Sequence, residues 1–199
     1  MALTTYAELQ TAIADYLARD DLTAFIPDFI TLFECAAARK LRLRITTTSA
    51  TLTPSSGIAT VPTDMLGFIR VTWTGTPRSD LEYINPVFFE AAYADRPSDT
   101  PRNYTVEGSS LKVGPLSDTS LDVVYYERST ALSAGLNNLF TYHPDLYLFG
   151  SLVEAEAFNK DAEKAILWKA RRDEIFSEIL AADFQERQQM TVRTMGYTP

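Results

Sequence analysis

The spacing of apolar residues changes twice along this chain, and that change limits the fold more than any single motif does. From about residue 5 to 42 and again from 143 to 189, apolar side chains return at helical intervals, whereas 45–127 alternates them with Thr, Ser, Asn and charge. Helices at both ends with strands between them predict an α+β chain. Residues 1–44 and 136–189 should form a helical bundle, 45–135 an inserted antiparallel β module with one short helix, and 190–199 an extended C-terminal tail.

The N-terminal helices carry clear start signals. Thr5 and Glu8 have the spacing of a capping box, after which Tyr6, Leu9, Ile13, Tyr16 and Leu17 form one stripe that should end near Arg19. Pro27 suits an early position of a second helix, about 26–41, whose Ile26, Phe29, Ile30, Phe33, Ala37 and Leu41 share a face. Asp28, Thr31, Cys35, Ala38 and Arg42 fall opposite. Their mostly small side chains would let another helix approach closely, either a bundle neighbour or an adjoining subunit. Beyond that helix, Arg39, Lys40, Arg42 and Arg44 bunch where the helix dipole is negative; they serve either that helix end or an acidic or phosphate partner.

In the middle, Thr46–Leu52 and Ile58–Val61 flank the turn-forming run 53–57 and read as a hairpin. Phe68–Thr74 with Leu81–Ile84 read as a second, and Tyr104–Val106 with Leu111–Val113 as a third. Asn85-Pro86 announces a short helix to about Tyr93, and Leu121–Glu127 makes a last strand with Tyr125 and Tyr126 on opposite faces. A third long helix follows His143-Pro144. The fourth should bury Ala165, Trp168, Arg172, Ile175, Phe176, Ile179, Leu180 and Phe184.

Chemistry-bearing patterns are sparse. One His and one Cys leave too few ligands for an ordinary zinc site, so no metal and no cofactor are expected. Gly150-Ser151 lies inside an amphipathic helix and lacks the second glycine of a nucleophile elbow. Glu154 and Glu156 point in different directions on their helix, and the glycines are isolated rather than arrayed as a phosphate loop. No catalytic residue is expected. The longest apolar run, near 146–153, is too short to cross a membrane, and the first ten residues lack a secretion signal, which points to synthesis and retention in the cytoplasm.

A formal charge of −8 argues against gripping nucleic acid through phosphates. Of the ten Tyr and eleven Phe, many belong in the core, and a surplus would suit subunit contacts. Met190 to Pro199 abandons helical spacing and buries too little to order itself. Met190, Thr191, Val192, Arg193, Met195 and Tyr197 either fray or add as a strand to a partner.

The blocks Thr5–Leu22, Ile26-Pro-Asp-Phe-Ile30, Leu81-Glu-Tyr-Ile-Asn-Pro86, Thr100–Gly108, Leu121-Asp-Val-Val-Tyr-Tyr126 and Pro144–Ala155 resemble, in this order, those of bacteriophage head-to-tail adaptor proteins. They span the chain to about residue 185. The resemblance implies a non-enzymatic structural protein of the virion neck, assembled in the host cytoplasm. Twelve copies would ring the channel below the portal protein, pass double-stranded DNA without binding it specifically, and offer a platform to the tail or nozzle protein. It also implies that the C-terminal tail docks on the portal. A phage decoration or receptor-binding subunit, with the β module as its working part, is the competing reading.

Overall fold

The computed structural model describes residues 3–95 and 98–192. In chain order they form α1 (Tyr6–Leu17), α2 (Ile26–Lys40), β1 (Thr47–Leu52), β2 (Ile58–Thr60), β3 (Met65–Trp73), β4 (Ser79–Asp80), β5 (Glu82–Tyr83) and α3 (Pro86–Tyr93). There follow β6 (Asn103–Glu107), β7 (Ser110–Gly114), β8 (Leu121–Glu127), α4 (Asn138–Tyr142), α5 (Pro144–Asn159) and α6 (Ala162–Val192). The fold is α+β. Two compact units divide the chain, Met1–Thr46 with Ser129–Pro199 and Thr47–Arg128.

In the helical unit, local sequence sets each helix start. The Thr5 hydroxyl accepts the Glu8 N–H at 3.2 Å, and the Glu8 carboxylate accepts the N–H groups of Thr4 and Thr5, so donors left free by the first turn of α1 are satisfied. Pro27 and Pro144 each sit at a first turn, where no N–H is needed. α5 is the hub, packing against α1, α2, α4 and α6. Phe33, fully buried, lies against Gly150 of α5, where any Cβ would run into its ring, and meets Tyr147 edge-on at 5.1 Å. The missing side chain at position 150 thus brings the two helices together.

Residues 129–137, which alternation assigned largely to the insertion, run with the helices. Leu132 is buried in the helical core, and its N–H donates to the Glu34 carboxylate at 2.8 Å. Asn137 caps α4, accepting the Phe140 N–H at 2.8 Å, while its amide nitrogen donates to Thr130 O and to the buried Tyr147 hydroxyl at 2.7 and 2.9 Å. This short helix had no apolar period long enough to be read from sequence.

α6 departs from expectation on its apolar stripe. Arg172, Ile175, Phe176 and Ile179 face inward and Trp168 is half-buried, but Leu180 and Phe184 are exposed. At 100° per residue, both stand with Ile166 and Ala170 on the outer side. The helix also continues to Val192, so Met190, Thr191 and Val192 have helical backbone instead of the extended form expected. Residues 193–199 lie outside those described.

The β unit is a sandwich of two four-stranded sheets, ordered β1-β8-β3-β4 and β2-β7-β6-β5. Their inner faces share a core of Val71, Trp73, Leu121, Val123 and Tyr125 against Tyr104, Leu111 and Val113. The alternation along β8 is as read: Leu121, Val123 and Tyr125 are buried, and Asp122, Val124 and Tyr126 face out. Two of the three expected hairpins need correction. β1 and β2 do not pair; the 53–57 turn carries the chain from one sheet to the other, so each strand takes a separate partner. The segment after β3 pairs with it only through β4, then crosses at Leu81 into the second sheet, where β5 runs parallel to β6. The β6–β7 hairpin is present as expected. α3 lies on β6, tied by Lys112, whose ammonium reaches Glu90 at 3.0 Å and Glu107 at 2.8 Å.

Candidate assembly surfaces

With the stripe of α2 turned into the core, its opposite side is left open. Asp28, Thr31 and Cys35 are exposed, and Ala38 and Arg42 are half-buried. Among the described residues no helix covers this side. Thr31 donates to Pro27 O at 2.9 Å and so turns its hydroxyl back onto its own helix. Arg42 is likewise spent at home, since its guanidinium donates to Ala38 O at 2.6 Å and Leu41 O at 2.7 Å, capping carbonyls that the helix end leaves free. Leu32 and Phe25, 53% and 43% exposed, extend the surface. Sequence reading missed both because neither belongs to the buried period.

Arg44 and Lys40 of that cluster are also engaged internally, and Arg39 is exposed. Arg44 grips Glu186 at 2.6 Å and its N–H donates to Asp183 at 2.7 Å; Lys40 stands 3.8 Å from Asp173 and over the Phe176 ring; Arg187 donates to Arg42 O. These contacts bind the end of α2 to α6. Arg42 thus takes the helix-end role, and Arg44 and Lys40 meet acidic residues of α6.

A second open surface runs along α6. Ile166, Leu167, Leu180 and Phe184 are between 44% and 68% exposed, in a helix whose other side already packs on α5. A third apolar spot joins the start of α2 to the end of α5, where exposed Phe158 lies 5.3 Å from Phe25 and 5.6 Å from Phe29. In the β unit, Val87 and Phe88 of α3 are more than 70% exposed, while Phe89 of the same helix is buried.

Between α6 and the start of α5 lies a groove of about 330 Å³ lined by Leu43, Ile45, Tyr142, His143, Ile179 and Asp183, among others. Burial holds the His143 imidazole below its ordinary value, with Asp145 opposing. Burial also raises the Glu34 carboxyl, opposed by the Leu132 N–H, and pushes the Tyr147 phenol well up. Ser151 is fully buried beneath packed side chains and so is not accessible as a nucleophile. Among the described residues no group of three or more His, Cys, Asp or Glu could hold a metal, and no helix is long and apolar enough to cross a membrane.

Charge is shared evenly. The helical unit holds 16 acidic and 12 basic residues and the β unit 10 and 6, so each contributes −4. The tail residues Arg193, Met195 and Tyr197 lie outside the described part, and only the helical backbone of Met190 to Val192 is placed.

The family model for the SU10 adaptor protein matches residues 4–195. No curated protein matches the sequence.

Proposed function

Because the chain belongs to the SU10 adaptor protein family of phage structural proteins, we propose that it forms the neck ring between portal and tail. The observation that carries this reading is the pair of open faces on the helical unit, Asp28-Thr31-Leu32-Cys35 on α2 and Ile166-Leu180-Phe184 on α6. A closed ring is built from a heterologous contact, in which one patch of a subunit meets a different patch of the next. Two distinct open faces on one compact unit meet that requirement. Twelve copies would place the outer side of α2 in each subunit against its neighbour.

The C-terminal residues Met190, Thr191, Val192, Arg193, Met195 and Tyr197 dock on the portal protein, α6 acting as the stalk that carries them. The ring continues the DNA channel. At −8 per copy it would carry about −96 in all, facing a duplex with one negative charge per about 1.7 Å, so the wall would not grip DNA. The β unit then serves the tail or nozzle protein.

Sedimentation of the protein mixed with its portal tests this. Conversion to a ring bound on the portal supports it. No association, with binding instead to a host surface component, would favour a receptor-binding subunit. Removing 193–199 should abolish portal association while leaving the helical unit folded; unchanged association would refute tail docking.

A further inference from the structure

α6 changes its manner of attachment part-way along. Arg172, Ile175, Phe176 and Ile179 hold it by burial, and among its described side chains Ile179 is the last apolar one in the core. Beyond it Leu180, Ala181, Ala182 and Phe184 are exposed. What reaches inward there is charge. The Asp183 carboxylate accepts the Arg44 N–H at 2.7 Å, and Glu186 accepts the Arg44 guanidinium at 2.6 Å. Arg187 donates to Arg42 O at 2.8 Å while pairing with Asp183 at 2.7 Å. The groove of about 330 Å³ opens at the same place, with Leu43, Ile45, Ile179 and Asp183 in its lining, so these contacts cross a gap rather than seal a packed seam.

A helix end held in this way is marginal. Arg44 and Glu186 are each more than half exposed, a setting in which an ion pair contributes little and is screened by salt. Asp183 is the stronger partner, since its side chain is 14% exposed and its bond to the Arg44 N–H is charge-assisted. Helical hydrogen bonds alone do not hold a terminal stretch of about two turns in water. α6 contains neither glycine nor proline, so it has no hinge at which these turns could swing as a rigid piece; they leave only by unwinding from the C-terminal end.

We propose that α6 beyond Ile179 is a latched arm: Asp183, Glu186 and Arg187 keep it wound against residues 42–44, and loss of these contacts unwinds it back to Ile179 while the bundle stays folded. Among its described side chains the arm has no buried apolar group to lose. The consequence is reach. Residues 180–192 span about 20 Å as helix and up to about 43 Å when extended, so the latch sets how far the C-terminal end of the chain extends from the bundle. The latch is a property of the single chain and does not depend on the ring.

Hydrogen exchange of the full chain, read by mass spectrometry, tests it. Amides of 180–187 should exchange about tenfold or more faster than those of 172–179, and raising sodium chloride from about 0.05 to about 1 M should speed the first set a further few fold. Arg44→Gln should speed 180–187 by about two- to fivefold, and Asp183→Ala by more. The second variant separates the explanations, because alanine is the better helix former and on intrinsic preference alone would slow exchange there. Amides of 172–179 and the melting midpoint should stay unchanged throughout. Unaltered or slower exchange of 180–187 in both variants, or acceleration shared equally by 172–179, overturns the proposal. If a variant does not fold, the salt comparison on the unmodified chain decides by the same criterion. Neither portal nor virion enters the test, so its failure would leave the adaptor reading standing.

Discussion

Gly150→Ala is the sharpest test of how the helical unit is held together. In an ordinary helix interior this change adds about 1 kcal/mol of stability, because glycine has more backbone freedom to lose. Here the new methyl would meet Cδ2, Cε2 and Cγ of Phe33, a ring that is itself fully buried and boxed in by Tyr147 at 5.1 Å. The ring has no solvent to swing into, so α2 and α5 must separate or Phe33 must leave its rotamer, at about 1–3 kcal/mol or more. The net effect should be a loss of up to about 2 kcal/mol, read as a melting midpoint lower by up to several degrees. Phe33→Leu alone should also destabilise, through lost burial. In that background, however, Gly150→Ala should become neutral or favourable, giving a double-mutant coupling above about 1 kcal/mol. Thermal melts of the four proteins by circular dichroism suffice. A rise in midpoint for Gly150→Ala alone would refute the close helix approach.

Further outcomes follow from other contacts. Cys35 should react readily with a maleimide in the free protein and be protected in the portal-bound ring, and Leu32→Glu should block ring formation without shifting the melt; labelling that is equal in both states would remove the α2 face from the interface. Asn137→Ala should cost about 2–4 kcal/mol by chemical denaturation, since it deletes a helix cap and strands the buried Tyr147 hydroxyl, whereas Tyr147→Phe should cost about 1. Glu34→Gln should raise the melting midpoint at pH 7: burial raises the folded carboxyl above its unfolded value, so its favourable contribution is complete only below the unfolded value and is lost as pH rises through the folded one. The advantage of the variant should shrink as pH falls toward the ordinary glutamate range, and a constant difference across pH would contradict the assignment.

Where local periodicity and local capping decide an element, the sequence was readable. The opposite facing of Tyr125 and Tyr126 on β8 was legible from strand alternation, and Asn85-Pro86 and Thr5 with Glu8 announced helix starts, because in each case neighbours in sequence decide the outcome. Pairing of β1 with β2 was misread because a turn such as 53–57 specifies a change of direction but not whether the chain returns to the same sheet; the core shared with β8 decided that. Leu180 and Phe184 lie about 140° and 180° around the helix from Ile175 at 100° per residue, so the stripe read from sequence ran past the rows that can face the core. On α2, Asp28, Thr31 and Cys35 were legible as a second face, while the inward use of Arg42 on its own carbonyls required coordinates.

A reconstruction of the intact virus at the junction of capsid and tail tests the central claim most directly. The account predicts a ring of this chain directly beneath the portal, with the outer side of α2 in each copy against the next copy and the channel running through its centre. Finding the chain elsewhere on the particle, or finding a neck in which the outer sides of α2 and α6 face solvent, would contradict it.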